Sequence, residues 1–153
     1  MKAKYKYKDI NQVMRGIRAQ IIDSVQFCYD YIPTMGDPAE LFNYLKKYIT
    51  FKHDPPNTEL LQSAQTLFLN NKHGIAGAGD CDCFVILACA AFIAQGWGDF
   101  DIILAGRSYK NPVHIYCRIK FKNQSYIFDL TEPKFNQERS YKYRQILPVK
   151  FYS

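Results

Sequence analysis

Apolar residues repeat with a helical period in the first half of the chain. Over residues 11–31 they recur every three or four positions, which predicts an amphipathic helix. A second helix is predicted over residues 38–49, with Asp37 as its N-cap and Pro38 at its first position. A short third helix is expected at residues 59–62. The residues of the second helix expected to face inward are Leu41, Tyr44, Leu45 and Tyr48.

Residues 79–96 form the most apolar stretch of the sequence. The acidic turn Asp80-Cys81-Asp82 precedes eleven consecutive apolar residues, 84–94. A helix that is apolar on all sides must be surrounded by protein, and this one is too short to cross a bilayer, so a central core helix ending at Gly96 is predicted. Cys81 then lies at the helix start, where unpaired backbone N–H groups and the positive end of the dipole stabilise a thiolate. The glycine-rich loop at residues 73–79 leads into it, as a substrate-approaching loop or as a simple connector.

After this helix the pattern changes to period two. Residues 102–106 predict a short buried strand, and residues 113–121 alternate between an apolar and a polar face. Turn-forming residues at 122–124 and a returning strand at 125–130 predict an antiparallel hairpin.

A cysteine nucleophile needs a base within hydrogen-bond reach and a group that orients the base. Of the three histidines, His114 lies in the strand that follows the cysteine helix, and Asp129 lies on the returning strand. If the hairpin turns at residues 122–123, His114 is the diagonal neighbour of Asp129. If it turns at residues 123–124, His114 lies about 13 Å up the strand from the position facing Asp129. A three-residue loop would place the two side chains on opposite faces.

Each of these residues also has a structural interpretation. A cysteine at a helix start often serves as a small buried apolar residue, a strand histidine as a half-exposed polar residue, and an aspartate at a strand end as a turn residue. The conjunction of glycine-rich loop, helix-start cysteine, strand histidine and following aspartate favours the catalytic interpretation.

The composition of the chain limits the classes of protein to which it can belong. A chain of 153 residues with 48% hydrophobic residues predicts a single domain, 1–153. Five irregularly spaced cysteines indicate free thiols rather than a disulfide scaffold. The absence of a signal peptide pattern and of any membrane-spanning segment predicts a soluble protein made in a cytoplasm. No cofactor or metal is expected, because Cys81-x-Cys83 without a second cysteine pair does not match structural-zinc spacing.

The net charge of +6 falls mostly in two tyrosine-rich arms, residues 1–10 and 134–153. No nucleic-acid motif accompanies the basic residues, so no specific nucleic-acid partner is predicted. The arms are expected to face solvent, partner proteins or a second copy of the chain.

Three motifs together resemble the transglutaminase-like branch of the papain-like cysteine enzymes. They are GDCDCF at residues 79–84, VHIY at 113–116 and IFDLT at 127–131, and the resemblance covers residues 37–133. It is closest to small GDCDD-type proteins often encoded by bacteriophages, which usually carry a second aspartate where this chain has Cys83. The resemblance implies an α+β, papain-like fold with helices packed on an antiparallel sheet.

By position, the resemblance implies Cys81 as nucleophile, His114 as general base and acid, and Asp129 as the group that holds the imidazole. The backbone N–H of Cys81 and the side chain of Gln62 are candidate oxyanion donors. The implied reaction is attack on a peptide, amide or ester carbonyl through an acyl-enzyme. Whether water or an amine then accepts the acyl group, as in a peptidase or amidase or in an acyltransferase, stays open.

The alternative is a structural or assembly protein of a phage virion that keeps the fold and binds partner proteins through its arms. In that case the protein would be made in the host cytoplasm and incorporated into the virion.

Overall fold

The structure is a computed structural model that describes residues 10–53, 61–69, 77–110 and 112–150. The N-terminal arm up to residue 9, residues 59–60 of the expected third helix and most of the glycine-rich loop lie outside these residues. The described elements, in chain order, are α1 Ile10–Tyr31, α2 Pro38–Lys46, β1 Thr50–Phe51, α3 Ala64–Leu69, β2 Ala78–Gly79, α4 Cys81–Ala94, β3 Asp99–Gly106, β4 Pro112–Phe121, β5 Gln124–Phe128 and β6 Tyr143–Lys150. Within the described ranges, no helix has the length and apolar character needed to span a bilayer.

The architecture is α+β, as predicted. Four antiparallel strands form the main sheet in the order β5-β4-β3-β6, and β1 pairs in parallel with β2 in a separate two-stranded sheet. Helix α4 lies between α1 on one side and β4 on the other, which places it at the centre of the core.

The predicted core helix is confirmed as α4. Every residue from Cys81 to Phe92 is buried, which agrees with a helix that has no polar face. Asp80 is its N-cap and accepts the backbone N–H of Asp82 at 3.2 Å. Past the helix end, Gly96 has a φ of 85°, the left-handed conformation that glycine adopts without strain.

The first predicted helix is also confirmed, and the second ends earlier than predicted. The Asp37 carboxylate accepts the Glu40 N–H at 2.8 Å, as expected of an N-cap. The Lys47 and Tyr48 N–H groups bond three residues back, to the carbonyls of Tyr44 and Leu45, which tightens the final turn and ends the helix. The chain then pairs as β1, and Tyr48, predicted to face inward, is 51% exposed.

The third helix was predicted too early in the chain. Residues 61–63 are not helical, and α3 begins at Ala64. The Ser63 hydroxyl accepts the Thr66 N–H at 3.2 Å, an N-cap contact that sets this start. The Ser24 hydroxyl of α1 accepts the Ala64 N–H at 2.9 Å, so a contact from another helix also favours the later start.

The hairpin turns at residues 122–123, the first of the two registers considered from the sequence. Phe121 pairs with Gln124 and Cys117 with Phe128. Lys122 and Asn123 have φ values of 49° and 65°, which is the geometry of a two-residue hairpin loop.

Strand β6, in the C-terminal arm, was not predicted. It pairs antiparallel with β3 over its whole length, from Asp99 opposite Lys150 to Gly106 opposite Tyr143. Leu147 and Val149 pack against the main core. This part of the arm therefore belongs to the domain itself, at an edge of the sheet where Pro148 is tolerated.

Candidate active site

Cys81 is the first residue of α4, directly after the N-cap Asp80. It therefore lies at the positive end of the helix dipole, where a negative charge is stabilised. Cys81 is 4% exposed, whereas the other four cysteines, Cys28, Cys83, Cys89 and Cys117, are each 0% exposed. Access to the Cys81 thiol is narrow, but it is the cysteine with the largest contact with solvent.

His114 and Asp129 are in direct contact. His114 Nε2 lies 2.7 Å from Asp129 Oδ2, and the two side chains are 15% and 3% exposed. The other carboxylate oxygen, Oδ1, accepts the Thr131 N–H at 3.0 Å and the Thr131 hydroxyl at 2.7 Å. Both carboxylate oxygens are thus held, so the acid cannot rotate away from the imidazole without losing hydrogen bonds.

Cys81 is the second residue that affects the charge of the His114 ring. Burial lowers the pKa of His114, but the hydrogen bonds to Asp129 and Cys81 and their negative charges outweigh burial and raise that pKa from 6.5 to about 10. At neutral pH the ring is an imidazolium. Its Nε2–H is directed at Asp129, and an imidazolium carries a second proton on Nδ1.

This charge arrangement predicts a pH dependence of stability. Because the pKa of His114 is raised to about 10 in the folded protein, its stabilisation is complete below the unfolded value of 6.5 and is lost as the pH rises toward 10. The difference in unfolding free energy between wild type and His114→Gln is expected to shrink between pH 6.5 and 10. Urea denaturation of both proteins under reducing conditions measures it, with His53→Gln, an exposed histidine, as control. A constant difference across this range would contradict the prediction.

Three residues near His114 were missed by the sequence analysis. Thr131 holds Asp129, as described above, and the rings of Tyr116 and Tyr141 lie nearly parallel to the imidazole, at 20° and 27°. Their centroids are 5.4 and 6.0 Å from that of His114. Tyr116 lies on the same face of β4 as His114, so the alternation of apolar and polar residues could have identified it. Tyr141 lies in an irregular segment without a sequence signal.

Gln62 lies in the core beside Cys83. Its amide Nε2–H donates to the carbonyl of Ala78 at 3.1 Å and to Cys83 Sγ at 3.5 Å. Burial raises the pKa of Cys83 to about 12, so this thiol stays neutral. Gln62 thereby anchors the strand that leads into Cys81, and its role as an oxyanion donor stays a prediction.

Three consecutive buried residues could hold a metal ion. Asp80, Cys81 and Asp82 place their ligand atoms within 4.8 Å of one another. The Asp80 carboxylate already accepts the Asp82 N–H as the helix cap, which ties this acid to the start of α4.

No family model and no curated protein matches the sequence. Among solved structures, calcium-bound LapG of Legionella pneumophila is similar to this chain, with a TM-score of 0.47 and 13% sequence identity. The superposition covers 86% of this chain and 76% of that chain. A likeness at this level says nothing about activity. The candidate active site is defined by the contact of His114 with Asp129 and by the position of Cys81 at the start of α4.

Proposed function

We propose that this protein is a transglutaminase-like cysteine hydrolase, a peptidase or amidase, that uses Cys81, His114 and Asp129 as a catalytic triad. One observation supports this most strongly. The partly buried imidazole of His114 contacts the carboxylate of Asp129 at 2.7 Å and lies close enough to Cys81, at the start of α4, for that residue to raise its pKa. A nucleophile, a base and an orienting acid in this order are what covalent acyl transfer requires.

In the proposed mechanism, Cys81 Sγ attacks the carbonyl carbon of the substrate as a thiolate. The C–S bond forms as the carbonyl electrons move onto oxygen, and the backbone N–H groups at the start of α4 stabilise the oxyanion. The imidazolium of His114 gives its Nδ1 proton to the leaving amine, and the C–N bond breaks to leave a thioester. Neutral His114 then takes a proton from water, whose oxygen displaces the sulfur and releases a carboxylate.

Asp129 contributes orientation and charge to both steps. Its carboxylate accepts the Nε2–H of His114, which directs Nδ1 at the sulfur and stabilises the positive charge of the ring. Thr131 keeps that carboxylate in place. The low exposure of the site excludes most water, which strengthens these electrostatic contacts.

Trapping the acyl-enzyme tests this proposal. Wild-type protein treated with p-nitrophenyl acetate is expected to release p-nitrophenolate in a burst and to carry one acetyl group, located on Cys81 by peptide mass spectrometry. Neutral hydroxylamine should remove that group, as it does from thioesters. Cys81→Ala should show neither burst nor adduct, while the matched control Cys83→Ala, two positions along α4, should show both.

The opposite result would favour a binding protein. If the folded wild type takes no acetyl group, and all five cysteines react only after unfolding, the site is not an activated nucleophile. The protein would then act by binding partners in an assembly. Its resemblance to transglutaminase-like and phage-encoded proteins would be limited to the sequence motifs.

A further inference from the structure

The segment of residues 131–142, here called the strap, crosses beside the candidate active site and is held at several points. Asn136 accepts the Ile127 N–H through Oδ1 at 2.9 Å and donates its own N–H to the Ile127 carbonyl at 3.1 Å. It thereby pairs with both backbone groups of Ile127, on the outer edge of β5. Phe135 packs against Phe42 and Phe128 of the core.

Ion pairs hold the second half of the strap. Arg139 donates to the buried Glu132 at 2.9 Å. Glu138 accepts the hydroxyl of Tyr116 at 2.5 Å and the guanidinium of Arg144 at 2.7 Å. Glu138, three residues before Tyr141, therefore fastens the strap both to β4, through Tyr116, and to β6, through Arg144.

These contacts place Tyr141 against His114. The rings of Tyr141, His114 and Tyr116 lie within 27° of parallel, and the Tyr141 centroid is 6.0 Å from His114 and 5.9 Å from Tyr116. The His114 side chain is 15% exposed. Burial, followed by the charge of Asp129, raises the pKa of Tyr141 to about 12, so the phenol is neutral and adds no charge to the site.

The geometry points to Tyr141 as a positioning residue of the proposed triad, whose ring fixes the plane of the His114 imidazole and keeps water from its hydrogen bond to Asp129. This inference rests on the proposed function. An imidazole rotated about its ring bond would turn Nδ1 away from Cys81 and Nε2 away from Asp129 together. Tyr116 lies on the same strand as His114, whereas Tyr141 comes from a separate segment and contacts both rings, so it restricts the imidazole from a second direction.

Proton NMR tests this inference directly. The chain has three histidines, so the downfield imidazole N–H region is simple, and His114→Gln identifies the Nε2–H resonance of His114. In the wild type this proton should be visible because water exchanges with it slowly. In Tyr141→Ala its signal should broaden because the proton exchanges faster with water. Tyr141→Phe, which keeps the ring, should restore the sharp signal.

Alkylation supplies a second readout on the same variants. Tyr141→Ala is expected to lower the iodoacetamide rate of Cys81 by about tenfold through misplacement of the imidazole. Tyr109→Ala is the matched control, because the Tyr109 ring contacts Tyr143 rather than His114. If Tyr141→Ala is unfolded by circular dichroism, Tyr141→Leu replaces it, since leucine keeps apolar volume without a planar ring.

The outcomes separate this inference from the proposed function. An unchanged Nε2–H resonance and an unchanged alkylation rate in a folded Tyr141→Ala would overturn the positioning role, while acetylation of Cys81 in the wild type would still stand. A missing resonance in the wild type would likewise overturn it, because the bond would then be open to water. Loss of the resonance with a faster reaction at Cys81 would identify Tyr141 as a barrier to reagents and would also overturn the role.

Discussion

His114→Ala is expected to slow the alkylation of Cys81 by iodoacetamide by at least about tenfold at pH 6, because an ordinary thiol, with a pKa near 8.5, is almost fully protonated there. In the wild type the positively charged His114 ring lies near Cys81 and stabilises the negative charge of the attacking sulfur. The lower intrinsic nucleophilicity of a stabilised thiolate offsets part of the gain, so the expected ratio is smaller than the ratio of thiolate fractions.

The pH profile makes this prediction specific. The variant's rate should rise about tenfold per pH unit from pH 6 to 8, as an ordinary thiol ionises, while the wild-type rate should rise less steeply. The two rates should converge near pH 9. His53→Ala is the matched control, since His53 is an exposed histidine. Parallel profiles for wild type and His114→Ala would contradict an activated pair.

Gly77→Ala is expected to destabilise the protein by more than about 3 kcal/mol, whereas Gly96→Ala should cost about 1 kcal/mol. Both glycines have positive φ, 81° and 85°, so the backbone strain of a new Cβ is similar. The two positions differ in the room available for the added Cβ. A Cβ at Gly77 would lie 2.0 Å from the carbonyl oxygen of Tyr48, while at Gly96 nothing lies within 4 Å.

A Cβ at Gly77 would clash beside the hydrogen bond that positions helix α4. The Gly77 carbonyl accepts the Thr50 N–H at 2.9 Å, the first hydrogen bond between β1 and β2, and β2 leads directly to Asp80 and Cys81. Urea denaturation measures the two stabilities, and iodoacetamide measures the thiol in each variant. Gly77→Ala should affect both quantities and Gly96→Ala the first alone. Equal destabilisation would show that strain, and not the approach of Tyr48, requires the glycine.

The hairpin that positions His114 was predicted from the sequence, but its register was left open. Alternation over residues 113–121 placed His114 on a polar face, and the turn residues limited the register to a few choices. The register itself, with Phe121 opposite Gln124, required the turn at Lys122 and Asn123. The positions of His114 and Asp129 are set by that choice, because a shift of one residue would turn a strand's side chains to the other face.

The elements that were missed depend on partners distant in the chain. Strand β6 has weak local signals and contains Pro148, and it forms because β3 offers a free edge. Tyr141 reaches His114 only because Asn136 and Glu138 tie the strap to β5 and β4. The early end of α2 likewise follows from the pairing of β1 with β2.

The amino-acid pattern alone predicted the central helix and the cysteine at its start, because eleven consecutive apolar residues after an acidic turn favour a helix that is buried on all sides. It also determined the hairpin, through a period of two and a turn. Only the tertiary structure decided that Thr131 and Tyr141 enclose the His114–Asp129 pair and that Cys81 is nearly covered. The contact of Tyr141 with His114 joins segments far apart in the chain, and the contact of Thr131 with Asp129 lies just past the end of β5, so no local periodicity encodes either.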